Sequence, residues 1–170
     1  MSWLLYGCPG PLARVGPPDV SEVLPGLLVG EFPRPEDVGW LREDHGVSAV
    51  FNLQDDEDLV AKGLDLAALQ RAYELHGIRL RRYPVPDYEP SRLTEHLDDL
   101  LDEIEQALAA GQCVYLHCNA GMNRAPTVAI AYLHAYRGYS LASACRLLKS
   151  RRACAPYLRL LHDHFGEEPA

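Results

Sequence analysis

A chain of 170 residues that is 48% hydrophobic and 24% charged has the length and balance of one globular domain, not of a disordered or fibrous chain. Its net charge of −8 argues against a general nucleic-acid or anionic-membrane surface, since both need a basic face. Five cysteines, Cys8, Cys113, Cys118, Cys145 and Cys154, form no C-x-x-C pair and no dense framework, so they are expected as reduced thiols in a cytoplasmic protein. The opening MSWLLYGCPGP supports neither a signal peptide nor a membrane span.

Residues 1–19 are rich in Pro and Gly without periodicity and read as an N-terminal arm, with Trp3 and Tyr6 available to pack on the domain. Val23 to Val29, broken by Pro25-Gly26, predicts a hairpin of two short strands ending near Gly30. Pro35-Glu36-Asp37 opens a helix running to about Asp44, because proline suits the first turn and acids suit its positive end; Gly46 stops it. Val47 to Leu53, VSAVFNL, predicts a strand buried on both faces, and the acidic run Gln54 to Asp58 reads as a solvated loop. Leu66, Leu69, Tyr73 and His76 recur at helical spacing up to Gly77, and Ile78 to Val85 predicts the next strand.

Ser91 reads as the cap of a helix whose apolar face is Leu93, Leu97, Leu100, Leu101, Ile104 and Leu108. The opposite face, Asp98, Asp99, Asp102, Glu103 and Glu105, reads as solvated and not as metal-ligating. Val114-Tyr115-Leu116 is a short strand after Gly111, followed by a helix from Ala125 to Arg137 with Pro126 in its first turn and Gly138 at its end. A helix from Ser140 to about Ser150 buries Leu141, Ala144, Cys145 and Leu148, Tyr157 to Phe165 predicts a terminal helix, and residues 166–170 form a tail. Arg79, Arg81, Arg82, Lys149, Arg151 and Arg152 read mostly as solvated surface, some available to guide an anion. The alternation of strands and helices predicts one three-layer α/β/α domain over residues 20–165 with a central sheet of four or five strands. Ligands of such a sheet bind outside the carboxyl end of its strands.

The stretch Cys113 to Thr127, CVYLHCNAGMNRAPT, carries the chemistry. A strand, a short loop and a helix N-terminus make an anion cradle, in which the backbone N–H groups of Asn119, Ala120, Gly121, Met122 and Asn123 point inward with the positive end of the helix. Gly121 lets the backbone turn closely around the anion. Cys118 lies at the base, where the donors that hold phosphate also stabilise a thiolate, so it is expected to be an ionised nucleophile. Arg124, at the far lip, presents a planar fork that holds two phosphoryl oxygens at once, which lysine does not. His117 is expected to hydrogen-bond loop carbonyls and keep the cradle in shape. The alternative for Cys118, a buried structural thiol, loses ground because His, Cys, Gly and Arg stand together as H-C-x-x-G-x-x-R between a strand and a helix.

HCNAGMNRAP resembles the signature of the cysteine-dependent protein tyrosine phosphatases, and the chain resembles their dual-specificity branch. The resemblance implies a phosphotyrosine-phosphatase-like fold over residues 20–165, in which the cysteine attacks phosphorus, the arginine clamps the phosphoryl group and an aspartate on another loop protonates the leaving oxygen. RYPVPDYEP, Arg82 to Pro90, offers Asp87 for that part, 31 residues before Cys118 and on a loop able to fold over the cradle. Taken without the cradle, Asp87 is an ordinary solvated turn residue beside proline. Neither metal nor cofactor is expected, and the chain is expected to be a monomer.

Within that branch the chain is most similar to the starch-excess type of plant glucan phosphatase and, more loosely, to laforin. The similarity runs from about Val23 to Leu161 through RPEDVGWL, FNLQDDEDL, GLDL, GIRLRRYPVPDYEP, AGMNRAP and KSRRACAP. Asn123 departs from a usual glycine, and Ala155 stands where some members carry a sugar-stacking aromatic. Sugar binding would then rest on Tyr88, with Phe32 and Tyr157 more simply explained by packing. Three readings follow: hydrolysis of phosphate esters on a phosphorylated glucan, a protein phosphatase acting on phosphotyrosine, phosphoserine or phosphothreonine, and a non-catalytic module that binds phosphorylated partners. Asn123-Arg124 also matches RNA triphosphatases, which the acidic balance disfavours.

Overall fold

The computed structural model describes residues 14–167, so Trp3, Tyr6 and Cys8 and the last three residues of the tail lie outside the described residues. One sheet contains β1 (Val20–Leu24), β2 (Leu27–Gly30), β3 (Ala49–Asn52), β4 (Arg79–Arg82) and β5 (Val114–His117), in the order β1-β2-β5-β3-β4. β1 runs antiparallel to β2, as the tight Pro25-Gly26 connection requires, and every other pairing is parallel. β5 is central and buried at all its residues, whereas β4 forms an edge and presents Arg79 and Arg81 outward, charges that guard an open edge against further pairing.

Alternation along the strands divides the core into two layers. Leu27, Val29, Ala49, Phe51, Val114 and Leu116 face α4 (Leu97–Ala109), α5 (Arg124–Arg137), α6 (Leu141–Arg151) and α7 (Leu158–Phe165). Leu28, Val50 and Tyr115 face the other way, against Val38 and Leu41 of α1 (Val38–His45) and Leu69 and Tyr73 of α3 (Leu66–Leu75). The three-layer α/β/α expectation is met, with five strands.

Three local expectations differ. Ser91 caps no α-helix: it lies inside a 3-10 turn, Pro90–Glu95, which Pro90 opens and buried Leu93 anchors, and α4 starts only at Leu97. The acidic face of α4 is more than a solvated surface. Glu103 accepts from both Arg81 and Tyr83, Glu105 accepts from the Tyr132 hydroxyl at 2.6 Å and pairs with Arg137 at 3.2 Å, and Asp102 accepts from Tyr136. The run Gln54 to Asp58 is not a solvated loop. Gln54 is fully buried, and Asp55 caps α2 (Asp56–Ala61) by accepting from Asp58 N at 2.8 Å while Asp58 Oδ2 accepts from Asp55 N at 3.1 Å.

Candidate active site

Between the end of β5 and the start of α5, residues 118–123 form a loop over the carboxyl edge of the sheet's central strand. Every carbonyl in it is turned outward and satisfied. Cys118 O accepts from His117 Nδ1 at 3.0 Å, Asn119 O from Phe32 N at 3.0 Å, Ala120 O and Gly121 O from Arg152 at 3.2 and 2.9 Å, Met122 O from Ala155 N at 2.8 Å, and Asn123 O from Thr127 N at 3.1 Å and Thr127 Oγ1 at 2.7 Å. A peptide group whose carbonyl faces out turns its N–H in, and among the described residues the amides of 119–124 have no partner. The loop is a ring of convergent donors at the N-terminus of a fourteen-residue helix.

Gly121 makes the ring possible. Its φ is +64°, and a Cβ there would lie 2.7 Å from Gly30 C and O and 2.7 Å from Arg152 Nη2. The loop therefore rests directly on the backbone of β2. Arg152, expected on the solvated surface, is buried beneath it, where it also donates to Val29 O at 3.0 Å and Ser21 Oγ at 3.1 Å. The cost of burying this charge is offset by five polar partners, Asp19 included, around the guanidinium. Arg79, Lys149 and Arg151 are exposed as expected.

Cys118 is 3% exposed at the base of the ring, and Arg124 is 1% exposed at its lip. Arg124 Nη1 donates to Asp58 Oδ2 at 2.6 Å and to Val85 O at 2.7 Å, and Arg124 Nε lies 3.2 Å from Asp87 Oδ1. The strand–loop segment carrying Asp87 thus returns its carboxylate, itself more than half exposed, to the guanidinium beside the cysteine. Burial alone would raise the Asp58 carboxyl. Hydrogen bonds from Arg124 and Asn119, with the charge of Arg124, outweigh it and hold that carboxyl below its ordinary value. His117 is fully enclosed, and burial, joined by the charge of Arg124, pushes its imidazole down to about 4 against the hydrogen bond to Cys118 O. The ring is therefore neutral at pH 7 and carries its proton on Nδ1, the donor to that carbonyl. Of the loop carbonyls, His117 is bonded to one, that of Cys118.

The remaining expected site residues surround this centre. Tyr88, next to Asp87, is 69% exposed, and Met122 is 40% exposed. Glu57 above all, then slight desolvation, Glu89 and Asp55, raise the Tyr88 phenol, with Arg92 acting against them. Asn119 and Asn123 contribute their backbones to the ring but turn their side chains away: Asn119 Nδ2 donates to Asp58 Oδ1 at 2.6 Å and Asn123 Nδ2 to Ala155 O at 2.7 Å. Phe32 is half-buried with Arg14 and Lys62 over its ring, and Tyr157 is half-buried with its N–H donated to Thr127 Oγ1 at 2.8 Å. Asp58, Gln54 and Arg152 were missed by sequence reasoning. The D-x-x-D spacing of a capping box from Asp55 to Asp58 was the one available signal for a helix there, and nothing local marked Arg152 as buried.

A buried cysteine and arginine on a strand–loop–helix anion cradle, at the centre of a mostly parallel sheet, define a phosphate-handling α/β class. The chain belongs to a particular family of it: residues 39–161 match the dual specificity phosphatase catalytic domain. Among curated relatives it is 35% identical over 139 residues to a phosphoglucan phosphatase DSP4, described as amyloplastic, of Castanea sativa, covering 80% of this chain and 37% of that protein. It is also 24% identical over 143 residues to laforin of Mus musculus, covering 78% of this chain and 43% of the relative. The chain thus spans less than half the length of either. The fold is shared with the solved structure of Tk-PTP in its active form, with a TM-score of 0.73 at 24% identity over 86% of this chain and 93% of that one. No described helix is long and apolar enough to cross a membrane.

Proposed function

We propose that this chain hydrolyses phosphate monoesters through a phosphocysteine intermediate and that its substrate is a phosphorylated glucan. The observation that carries the catalytic reading is the ring of amides above Cys118 that have no partner among the described residues, closed by Arg124, with Asp87 3.2 Å from that arginine. In the first step Cys118 Sγ attacks phosphorus, the S–P bond forms as the ester P–O bond breaks, and protonated Asp87 gives its proton to the leaving oxygen. In the second, Asp87 takes a proton from water, the water oxygen bonds to phosphorus, and the S–P bond breaks to release phosphate and the thiolate. The ring amides and Arg124 hold the three equatorial oxygens through both steps. His117, neutral and buried, keeps the loop in shape and moves no proton.

Two observations support a glucan. The phosphoglucan phosphatase shares 35% identity over 139 residues of this chain. Around exposed Tyr88 the acids Asp55, Glu57 and Glu89 outnumber the one base Arg92, a balance that suits a substrate whose scaffold is uncharged. Exposed Tyr88 offers such a scaffold an aromatic face. The family assignment supports a second reading, a dual-specificity protein phosphatase. The joint presence of Cys118, Arg124 and Asp87 at one site disfavours a module that only binds.

The test is phosphate release from phosphorylated starch or glycogen and from phosphotyrosine peptides, each divided by the rate on a small aryl phosphate, with Cys118→Ser as the blank. A glucan ratio well above the peptide ratio is expected. The reverse ratio would replace the substrate, and equal turnover by Cys118→Ser would remove the nucleophile.

A further inference from the structure

We infer that Asp58, on the first turn of α2, is the positioning residue that fixes both ends of the phosphate cradle, an inference that rests on the phosphatase reading above. Its two carboxylate oxygens serve two different residues of the loop. Oδ2 accepts from Arg124 Nη1 at 2.6 Å, and Oδ1 accepts from the side-chain amide of Asn119, the residue after the cysteine, at 2.6 Å. Asn119 Oδ1 in turn accepts from Gln54 Nε2 at 2.8 Å, and Gln54 N donates to Asn52 Oδ1 at 2.8 Å at the end of β3. The chain of bonds ties the cradle to α2 through Asp58 and to β3 through Gln54.

A counter-ion for a buried arginine needs only one of these contacts. The rest of the geometry concerns direction. A guanidinium is rigid and planar, so fixing one corner sets the whole plane. Asp58 Oδ2, Val85 O and, at 3.4 Å, Leu53 O gather around Nη1 alone. Nε is buried and, among the described residues, has no hydrogen-bond partner, although the carboxylate of exposed Asp87 lies 3.2 Å away. Locking Nη1 therefore turns the Nε edge of the fork toward the place where phosphoryl oxygens sit above Cys118. An incoming phosphate takes that edge and releases Asp87 toward the leaving oxygen, while Asp58 stays in place. Asp58 touches neither the substrate nor the reacting atoms and acts through Arg124 and Asn119.

The decisive experiment is a double-mutant cycle on an aryl phosphate, using the full chain, with each variant's folded fraction read by circular dichroism. Asp58→Asn is isosteric and keeps an acceptor, and a misaimed guanidinium should lower kcat about 10- to 100-fold per folded site. In an Arg124→Ala background the same change should cost no more than the several-fold carried by the Asn119 contact, because the guanidinium it aims is gone. Asn119→Ala, which leaves the Asp58–Arg124 pair intact, should lower kcat several-fold and serves if Asp58→Asn folds poorly. Equal losses from Asp58→Asn in both backgrounds, or wild-type kcat in both Asp58→Asn and Asn119→Ala, would overturn the inference while leaving the phosphatase reading intact. Full turnover by Arg124→Ala would overturn both.

Discussion

Gly121→Ala tests the cradle most directly because its cost is visible in the geometry. The residue sits at φ +64°, where an L side chain loses about 1–2 kcal/mol to contact with its own backbone. The new Cβ would also stand 2.7 Å from Gly30 C and O. Gly30 cannot step aside cheaply, being the last residue of β2 and paired with His117 of β5. Overpacking of this kind costs about 1–3 kcal/mol, and relief by moving Arg152 would surrender the bonds that hold the Ala120 and Gly121 carbonyls outward. A total of about 2–5 kcal/mol should lower the melting temperature by roughly 5–15 °C in a chain of this length. The assay is thermal unfolding with and without tungstate as a phosphate mimic. At a hundred times its dissociation constant the mimic should add about 2.7 kcal/mol to the wild type and far less to the variant, whose amides no longer converge. A variant that melts within about 1 °C of wild type and gains the same protection would refute the claim that the loop rests on Gly30 through a bare glycine.

Asp87→Asn should slow alkyl phosphates, whose leaving oxygen needs a proton, by about 10²- to 10⁴-fold, and activated aryl phosphates by far less. Equal losses on both would mean that Asp87 is not the acid. His117 makes stability depend on pH. Its folded value of about 4 lies below the ordinary 6.5, so the unfolded chain takes up the proton first as pH falls. The contribution is complete above about pH 6.5, declines between 6.5 and 4, and is lost below, which amounts to about 2 kcal/mol between pH 7.5 and pH 5. Denaturant titrations at those two pH values should show a drop in wild type that is smaller by that amount in His117→Asn. The same drop in both proteins would show that the imidazole is not held neutral in the fold.

Much of the site was legible in the amino-acid order because its chemistry is local. A strand, a C-x-x-G-x-x-R loop and a helix with proline in its first turn are neighbours along the chain, and their order dictates where amides converge. Asp87 was reachable because a proline-flanked loop follows a strand that must lie in the same sheet, and the structure returns it to Arg124. Asp58 and Arg152 were not. Both are charged residues in charge-rich segments, and whether such a side chain meets water or a partner depends on what packs over it. Asp58 meets Arg124 across 66 positions of sequence, and Arg152 meets Gly121 across 31.

The sequence by itself determined the alternation that makes a three-layer domain, the strand–loop–helix cradle and the identity of the cysteine and arginine within it, since these rest on periodicity, glycine geometry and helix ends. Only the tertiary structure decided which charges are interior. Strand order β1-β2-β5-β3-β4 brings α2, the Asp87 loop and the segment after α6 around the end of one central strand. That convergence, and not any property of aspartate or arginine alone, turns a capping carboxylate and a basic residue near a helix end into the supports of the cradle.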